Sequence, residues 1–259
     1  MKTDTEILDI KKVKDSSPHQ YIDHSKQSLR ADVSECWVAN VMVTESVCRE
    51  LVTIPWLDPE KTEAGYMMSF CTRFIRQTKD ESPQATKESV DWLSELCIGC
   101  RDTRTGEIVK WVGHQYCDHD SKGKWPDRIF PQIAPCLEIE LGRDLYDHRQ
   151  LNVQTRDNLF SLRLVEYTDV RRVKDKAFES SDHFGRLFGG SVRCYSPGLG
   201  SGKATIVDLR KKGTQWSEME RYFGYLKTAY GNWPVASVYR SRNEVYEWRE
   251  KGEVIDTSD

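Results

Sequence analysis

Between Leu96 and Asp120 the chain reads LCIGCRDTRTGEIVKWVGHQYCDHD, and this one stretch holds three of the eight cysteines and two of the six histidines. Cys97 and Cys100 form a C-x2-C pair, thirteen residues intervene, and His114 and Cys117 form an H-x2-C pair, with His119 two further on. Tetrahedral zinc takes four N or S ligands, and two short-spaced pairs joined by a hairpin supply them. The spacer reads as that hairpin. Asp102 to Gly106 provides turn residues, and in EIVKWV the residues Ile108, Lys110 and Val112 alternate with Val109 and Trp111, as a strand requires.

A C-x2-C knuckle with a strand running to a second ligand pair resembles the zinc-ribbon class. The resemblance spans only Leu96–Asp120. It implies one structural zinc held by Cys97, Cys100, His114 and Cys117, with His119 able to replace His114. Four protein ligands close the coordination sphere, so such a site stabilises a fold and leaves no open position for catalysis. The other reading of the same residues is a set of buried free thiols beside solvated imidazoles, since cysteine is commonly buried as a small hydrophobe.

The rest of the chain sets the frame. The 259 residues carry 38 basic and 41 acidic side chains, a net charge of −3, so no chain-wide polycation drives binding to phosphate. With eight Trp and 38% hydrophobic residues there is enough packing material for a folded, soluble protein. The N-terminus has no apolar signal segment and no run is long enough to span a membrane, which points to an intracellular protein, in cytoplasm or nucleus, whose thiols are reduced or metal-bound. Charge is segregated: residues 1–100 hold 12 basic and 17 acidic groups, residues 151–230 hold 14 and 9.

Periodicity divides the chain into a flexible leader (1–30), a helical part with the zinc-ribbon-like module at about 96–120 (31–125), an antiparallel sheet with helices (126–252) and a tail (253–259). Tyr66, Met67, Phe70 and Phe74 recur at helical steps after the Asp58-Pro59 cap, Val90, Leu93 and Leu96 do so after Ser82-Pro83, and Trp216, Met219, Phe223, Leu226 and Tyr230 make a third helix. Ser241 and Glu244 have capping-box spacing for a last one. Strands are expected at RTGEIVKWV, PCLEIEL, QLNVQT, FSLRLVEYTDV, GSVRCY, ATIVDLR and PVASVYR. The expected fold class is α+β: a helical N-terminal part, a zinc-ribbon-like hairpin insert, and a C-terminal antiparallel sheet flanked by helices.

Three further motifs compete. SPGLGSGKAT departs from a phosphate loop at Pro197 and Ala204, and a strand follows Lys203 where a helix should. Asp127, Glu138 and Glu140, with His148 beyond, suit a metal-dependent hydrolase or nuclease if their carboxylates converge, although Glu138 and Glu140 also fit one solvated strand face. Arg171, Arg172, Lys174 and Lys176, then Arg210, Lys211 and Lys212, lie among aromatic residues, a composition suited to single-stranded nucleic acid. Asp182-His183 beside FGRLFGGS reads as a polar turn or a mobile functional loop. No G-x-S-x-G or H-E-x-x-H motif is present. These residues together predict a zinc-stabilised binding or regulatory protein acting through a protein partner or nucleic acid, with the hydrolase as the alternative.

Overall fold

The structure is a computed structural model that describes residues 7–8, 28–80, 86–117, 137–143, 149–155, 159–166, 181–189, 191–197, 203–212, 216–219, 221–249 and 253–256. Along this chain run β1 (Ile7–Leu8), β2 (Ser28–Val43), α1 (Glu45–Leu51), β3 (Leu57–Pro59), β4 (Lys61–Thr62), β5 (Gly65–Asp80), β6 (Thr86–Asp102), β7 (Ile108–Cys117), β8 (Leu137–Arg143), β9 (Arg149–Thr155) and β10 (Phe160–Glu166). They are followed by α2 (Ser181–Phe188), β11 (Ser191–Pro197), β12 (Lys203–Lys212), β13 (Trp216–Glu218), β14 (Tyr222–Thr228), β15 (Gly231–Arg249) and β16 (Glu253–Asp256).

The α+β expectation is overturned. The helices predicted after Asp58, after Ser82, at Trp216–Tyr230 and after Ser241 are strands β5, β6, β13 with β14, and β15, and the two helices described are only seven and eight residues long. The reason is visible on β5, where Met67, Met68, Ser69, Phe70, Cys71, Thr72 and Arg73 are all buried. A strand covered on both faces carries apolar residues on successive positions, and helical spacings of three and four can be picked out of such a run as readily as spacings of two. The half-exposed strands β9 and β10, whose burial alternates, give the true period.

Seven of the strands close on themselves. β2 pairs with β5, β5 with β6 and β6 with β7, all antiparallel; β7 pairs parallel with β11; β11 pairs with β12, β12 with β15, and β15 with β2. Strands from both sides of residue 125 therefore share one ring, β2, β5, β6 and β7 as one run and β11, β12 and β15 as the other. The sheet continues from β15 through β14, β10 and β9 to β8, and this second, antiparallel sheet folds over the outside of the barrel.

Alternation along the barrel strands separates two cores. Cys36, Val38, Cys71, Leu93, Cys97 and Val112 face inward with Phe184, Leu187 and Phe188 of α2. Their chain neighbours Trp37, Ala39, Phe70, Leu96, Ile98 and Trp111 face outward, against Leu151, Val153, Phe160, Leu162 and Leu226 of the second sheet and Cys48 and Leu51 of α1. Each such side chain, fully buried, contributes about 1.5–3 kcal/mol, so both faces of the same strands hold the fold. No described helix is long and apolar enough to cross a membrane.

Helix α2, expected as a turn or loop, caps the barrel interior. Phe184 stacks on Tyr239 at 4.0 Å and meets Trp216 edge-on at 5.2 Å, while the Trp216 indole N–H donates to the Phe188 carbonyl at 3.2 Å. The seat for α2 on β6 is Gly99: a Cβ there would lie 2.7 Å from the His183 ring. Gly99→Ala should therefore displace α2 and cost about 1–3 kcal/mol of stability, as overpacking does, with faster amide exchange concentrated in residues 184–188; uniform exchange with unchanged stability would contradict this seating.

Candidate active site

Inside the barrel β5, β6 and β7 each turn a charged side chain inward: Arg73, Glu95 and Lys110, whose side chains are 5%, 3% and 1% exposed. Two of the placements follow from register. Glu95 lies directly across from Cys71, and Lys110 lies across from Gly99, which has no side chain to crowd it. The Lys110 ammonium donates to Glu95 Oε1 at 3.0 Å, and Arg73 Nη2 donates to the same oxygen in a short hydrogen bond. Lys110 Nζ also sits 4.5 Å above the Phe188 ring, so α2 covers it with an aromatic face.

Thiols surround the charges. Arg73 Nη2 donates to Cys71 Sγ at 3.0 Å, Cys71 and Cys36 bring their sulfurs to 3.6 Å, and the Cys97 thiol donates to Glu95 Oε1 at 3.5 Å. Burial pushes every carboxylate and thiol here toward its neutral form, and the local charges decide the outcome. For Glu95, burial is outweighed by Arg73 and Lys110, which hold its carboxyl well below the usual range. For Lys110, burial pulls downward, but Cys97 and Glu95 hold the ammonium above its ordinary value while Arg73 opposes them. Burial raises Cys97, whereas at Cys71 it is overcome by the Cys36 hydrogen bond and the Arg73 guanidinium, which bring that thiol down to about 6. Arg73 and Lys110 against Glu95 leave one positive charge in excess, which favours the thiolate form of Cys71.

The residues singled out from the sequence are not brought together. Cys97 faces the barrel interior and Cys100 the outer core, on opposite sides of β6. The hairpin itself is present, with Asp102 Oδ1 accepting from the Arg104 amide at 2.9 Å and its Oδ2 from the Tyr195 hydroxyl at 2.9 Å. His114 lies against Phe160, ring centroids 4.8 Å apart, on the outer face. Cys117 ends β7 opposite Leu93, and His119 lies outside the described residues. Among the described residues no three His, Cys, Asp or Glu side chains gather to hold a metal ion, and the zinc-stabilised regulatory reading falls with them.

Glu138 and Glu140 stand two apart on β8, opposite Gln154 and Asn152, while Asp127 and His148 lie outside the described residues. So do Arg171, Arg172, Lys174 and Lys176. Arg210, Lys211 and Lys212 are consecutive on β12, paired with Glu247, Tyr246 and Val245 of β15 where the barrel closes. Lys203 opens the same strand, which removes the phosphate-loop geometry. Sequence reading missed Arg73, Glu95 and Lys110 as a site. One signal was there: Lys110 shares its strand face with Ile108 and Val112, and a lysine between two apolar neighbours on one face of a buried strand must find a buried partner.

No family model matches the sequence, and no curated protein matches it. Solved structures do. Acetoacetate decarboxylase from Legionella pneumophila superposes with a TM-score of 0.54 at 11% identity, over 93% of this chain and 92% of that one. MppR, an enduracididine biosynthesis enzyme solved with pyruvate, gives 0.51 at 10% identity over 90% and 91%. An acetoacetate decarboxylase-like enzyme from Sphingomonas wittichii gives 0.50 at 12% identity over 93% and 96%. At these identities the likeness is one of fold. The fold is the one these acetoacetate decarboxylase-like enzymes share, and with no cluster of metal-ligating side chains among the described residues the zinc, regulatory and nucleic-acid readings are left without support.

Two measurements check the charge cluster. Glu95→Ala removes the one oxygen that both buried cations share and should cost about 3–5 kcal/mol in urea unfolding, whereas Lys110→Met leaves the Arg73–Glu95 pair intact and should cost less; equal losses would contradict the cluster. Cys71 ionises near 6 when folded and near its ordinary 9.0 when unfolded. Its stabilising contribution is therefore complete above pH 9, shrinks as pH falls, and is gone below pH 6. Cys71→Ser should flatten the pH dependence of stability across that window, and an unchanged slope would refute the thiolate.

Proposed function

We propose that this chain is an enzyme that takes a small oxo acid into the barrel and condenses its carbonyl group with the Lys110 amine. The observation that carries the reading is a lysine 1% exposed, held beside Arg73 and Glu95 inside a closed barrel. A buried lysine amine is the nucleophile that forms imines with carbonyl substrates, and a neighbouring cation is one means of activating it; acetoacetate decarboxylase is a protein of this fold. MppR, of the same fold, holds pyruvate and a condensation product of pyruvate with imidazole 4-carboxaldehyde.

The charges support an acid as substrate. The single excess positive charge in a dry interior favours an incoming anion, and the planar Arg73 guanidinium matches a carboxylate in two parallel hydrogen bonds. An arriving carboxylate takes over the role of the Cys71 thiolate, which then regains its proton. Glu95 keeps Lys110 as the ammonium. Burial and Arg73 act in the other direction, so moving Glu95 Oε1 away from Nζ releases the amine.

The step balances without a cofactor. Lys110 Nζ bonds to the carbonyl carbon, the carbonyl oxygen leaves as water with two of the ammonium protons, and the product is a protonated imine. Its positive nitrogen draws electrons from the adjacent carbon, which eases loss of carbon dioxide or of a proton there. The Phe188 face and the enclosing barrel exclude the water that would hydrolyse the imine.

Incubation with pyruvate and borohydride should add one reduced pyruvate unit to the intact protein, mapped to Lys110 and absent in Lys110→Met. Glu95→Gln should shift the pH profile of trapping toward acid, because the anion that holds the ammonium is gone. Trapping spread over surface lysines, or none at all, would refute the assignment.

A further inference from the structure

The Lys110 side chain is 1% exposed, so a substrate reaches it only when some part of the barrel moves. The wall strands are joined to one another by backbone ladders. Helix α2 is held differently. Among the described residues no backbone–backbone hydrogen bond ties it to a strand, and side-chain contacts seat it. Its Phe188 is the ring that covers the Lys110 ammonium, and its His183 and Leu187 press on Gly99, the residue across from Lys110. Local opening draws on the least firmly held elements of a fold. Lifting α2 uncovers Lys110 and leaves the ring of strands intact.

One carboxylate fastens the helix. Glu60, between β3 and β4, is anchored to β6 by its own amide, which donates to the Gly99 carbonyl at 2.8 Å. Its Oε1 lies 3.6 Å from Arg186 Nη1 of α2 and 3.6 Å from Arg101 Nη2 of β6, and its Oε2 lies 3.0 Å from His183 Nδ1 of α2. The fastening is loose. Both arginine contacts are longer than hydrogen bonds, and Glu60 Oε2, Arg186 Nε and the two His183 ring nitrogens are closed to water without an aligned hydrogen-bond partner among the described residues. Buried polar atoms in that state cost stability, and opening returns them to water. The seated and lifted states of α2 therefore lie closer in free energy than the packing of Phe184 and Phe188 alone would place them. Gly189 and Gly190 follow the helix in sequence, small residues of the kind that absorb a hinge motion.

We infer that α2 is the door through which a small substrate enters the barrel, and that Glu60 is its latch, holding His183 and Arg186 of the helix. The inference rests on the imine reading for its purpose, since that chemistry needs a route to Lys110. Its test reads buried thiols and not the lysine. Cys71 and Cys97 lie inside the barrel, whereas Cys48 and Cys100 lie in the outer core. A door at α2 admits a small reagent to the first pair only. Global unfolding admits it to both.

The full-length protein is alkylated with iodoacetamide, a neutral reagent about as large as pyruvate, and the labelled peptides are followed by mass spectrometry. Glu60→Gln should speed alkylation of Cys71 and Cys97 about threefold to fivefold, the upper range for a partly exposed ion pair, and leave Cys48 and Cys100 unchanged. Arg186→Gln should act in the same direction. The double variant should go no further than Glu60→Gln alone, because the arginine then has no latch to lose. Equal acceleration at all four cysteines would overturn the inference, as would unchanged rates at Cys71 and Cys97 or multiplied effects in the double variant. Borohydride trapping of pyruvate reports separately: its absence in every protein would remove the imine reading and leave the door to be decided by the thiol rates.

Discussion

The contact on which the molecule turns is the shared oxygen of Glu95, which accepts from both Arg73 and Lys110 inside the barrel. Taking three charges out of water is costly, and apolar side chains of similar volume usually serve stability as well or better. The cost is met only because the geometry is good and because β5, β6 and β7 hold the three side chains at one level. Register does this holding: a slip of one residue would turn each of them to the outer core. The barrel walls, the Gly99 gap and the aromatic cover from α2 all bear on keeping that level closed.

The same strands serve two cores, which ties the site to the outside of the molecule. β7 shows the coupling most clearly. Lys110 faces the interior, Trp111 faces the second sheet, and a β-bulge at His114 and Gln115 lies directly opposite Glu95. Ring closure through β12 and β15 removes the free edges that a seven-stranded open sheet would expose.

Much of the local structure was legible. The turn at Asp102 to Gly106, the strand at Ile108, and strands β8 to β12 stand where alternation and turn residues placed them. The helices did not survive, and for one reason. On β5 and β6 polar residues such as Ser69, Thr72, Arg73, Ser94 and Glu95 are buried among apolar ones, so the period-two signal that burial on one face would leave is erased. The cysteine pattern misled through the same cause: Cys97 and Cys100 are three apart, which is one side of a knuckle but two sides of a strand.

The sequence by itself determined that this chain has core enough to fold, where several of its turns and strands begin, and that Lys110 sits on an apolar strand face and needs a partner. Only the tertiary structure decided who that partner is. Arg73, Glu95 and Lys110 are separated by 22 and 15 residues and belong to no spacing motif. They meet because three strands lie side by side in one register and the ring closes around them, a long-range pairing that no local pattern of residues can specify.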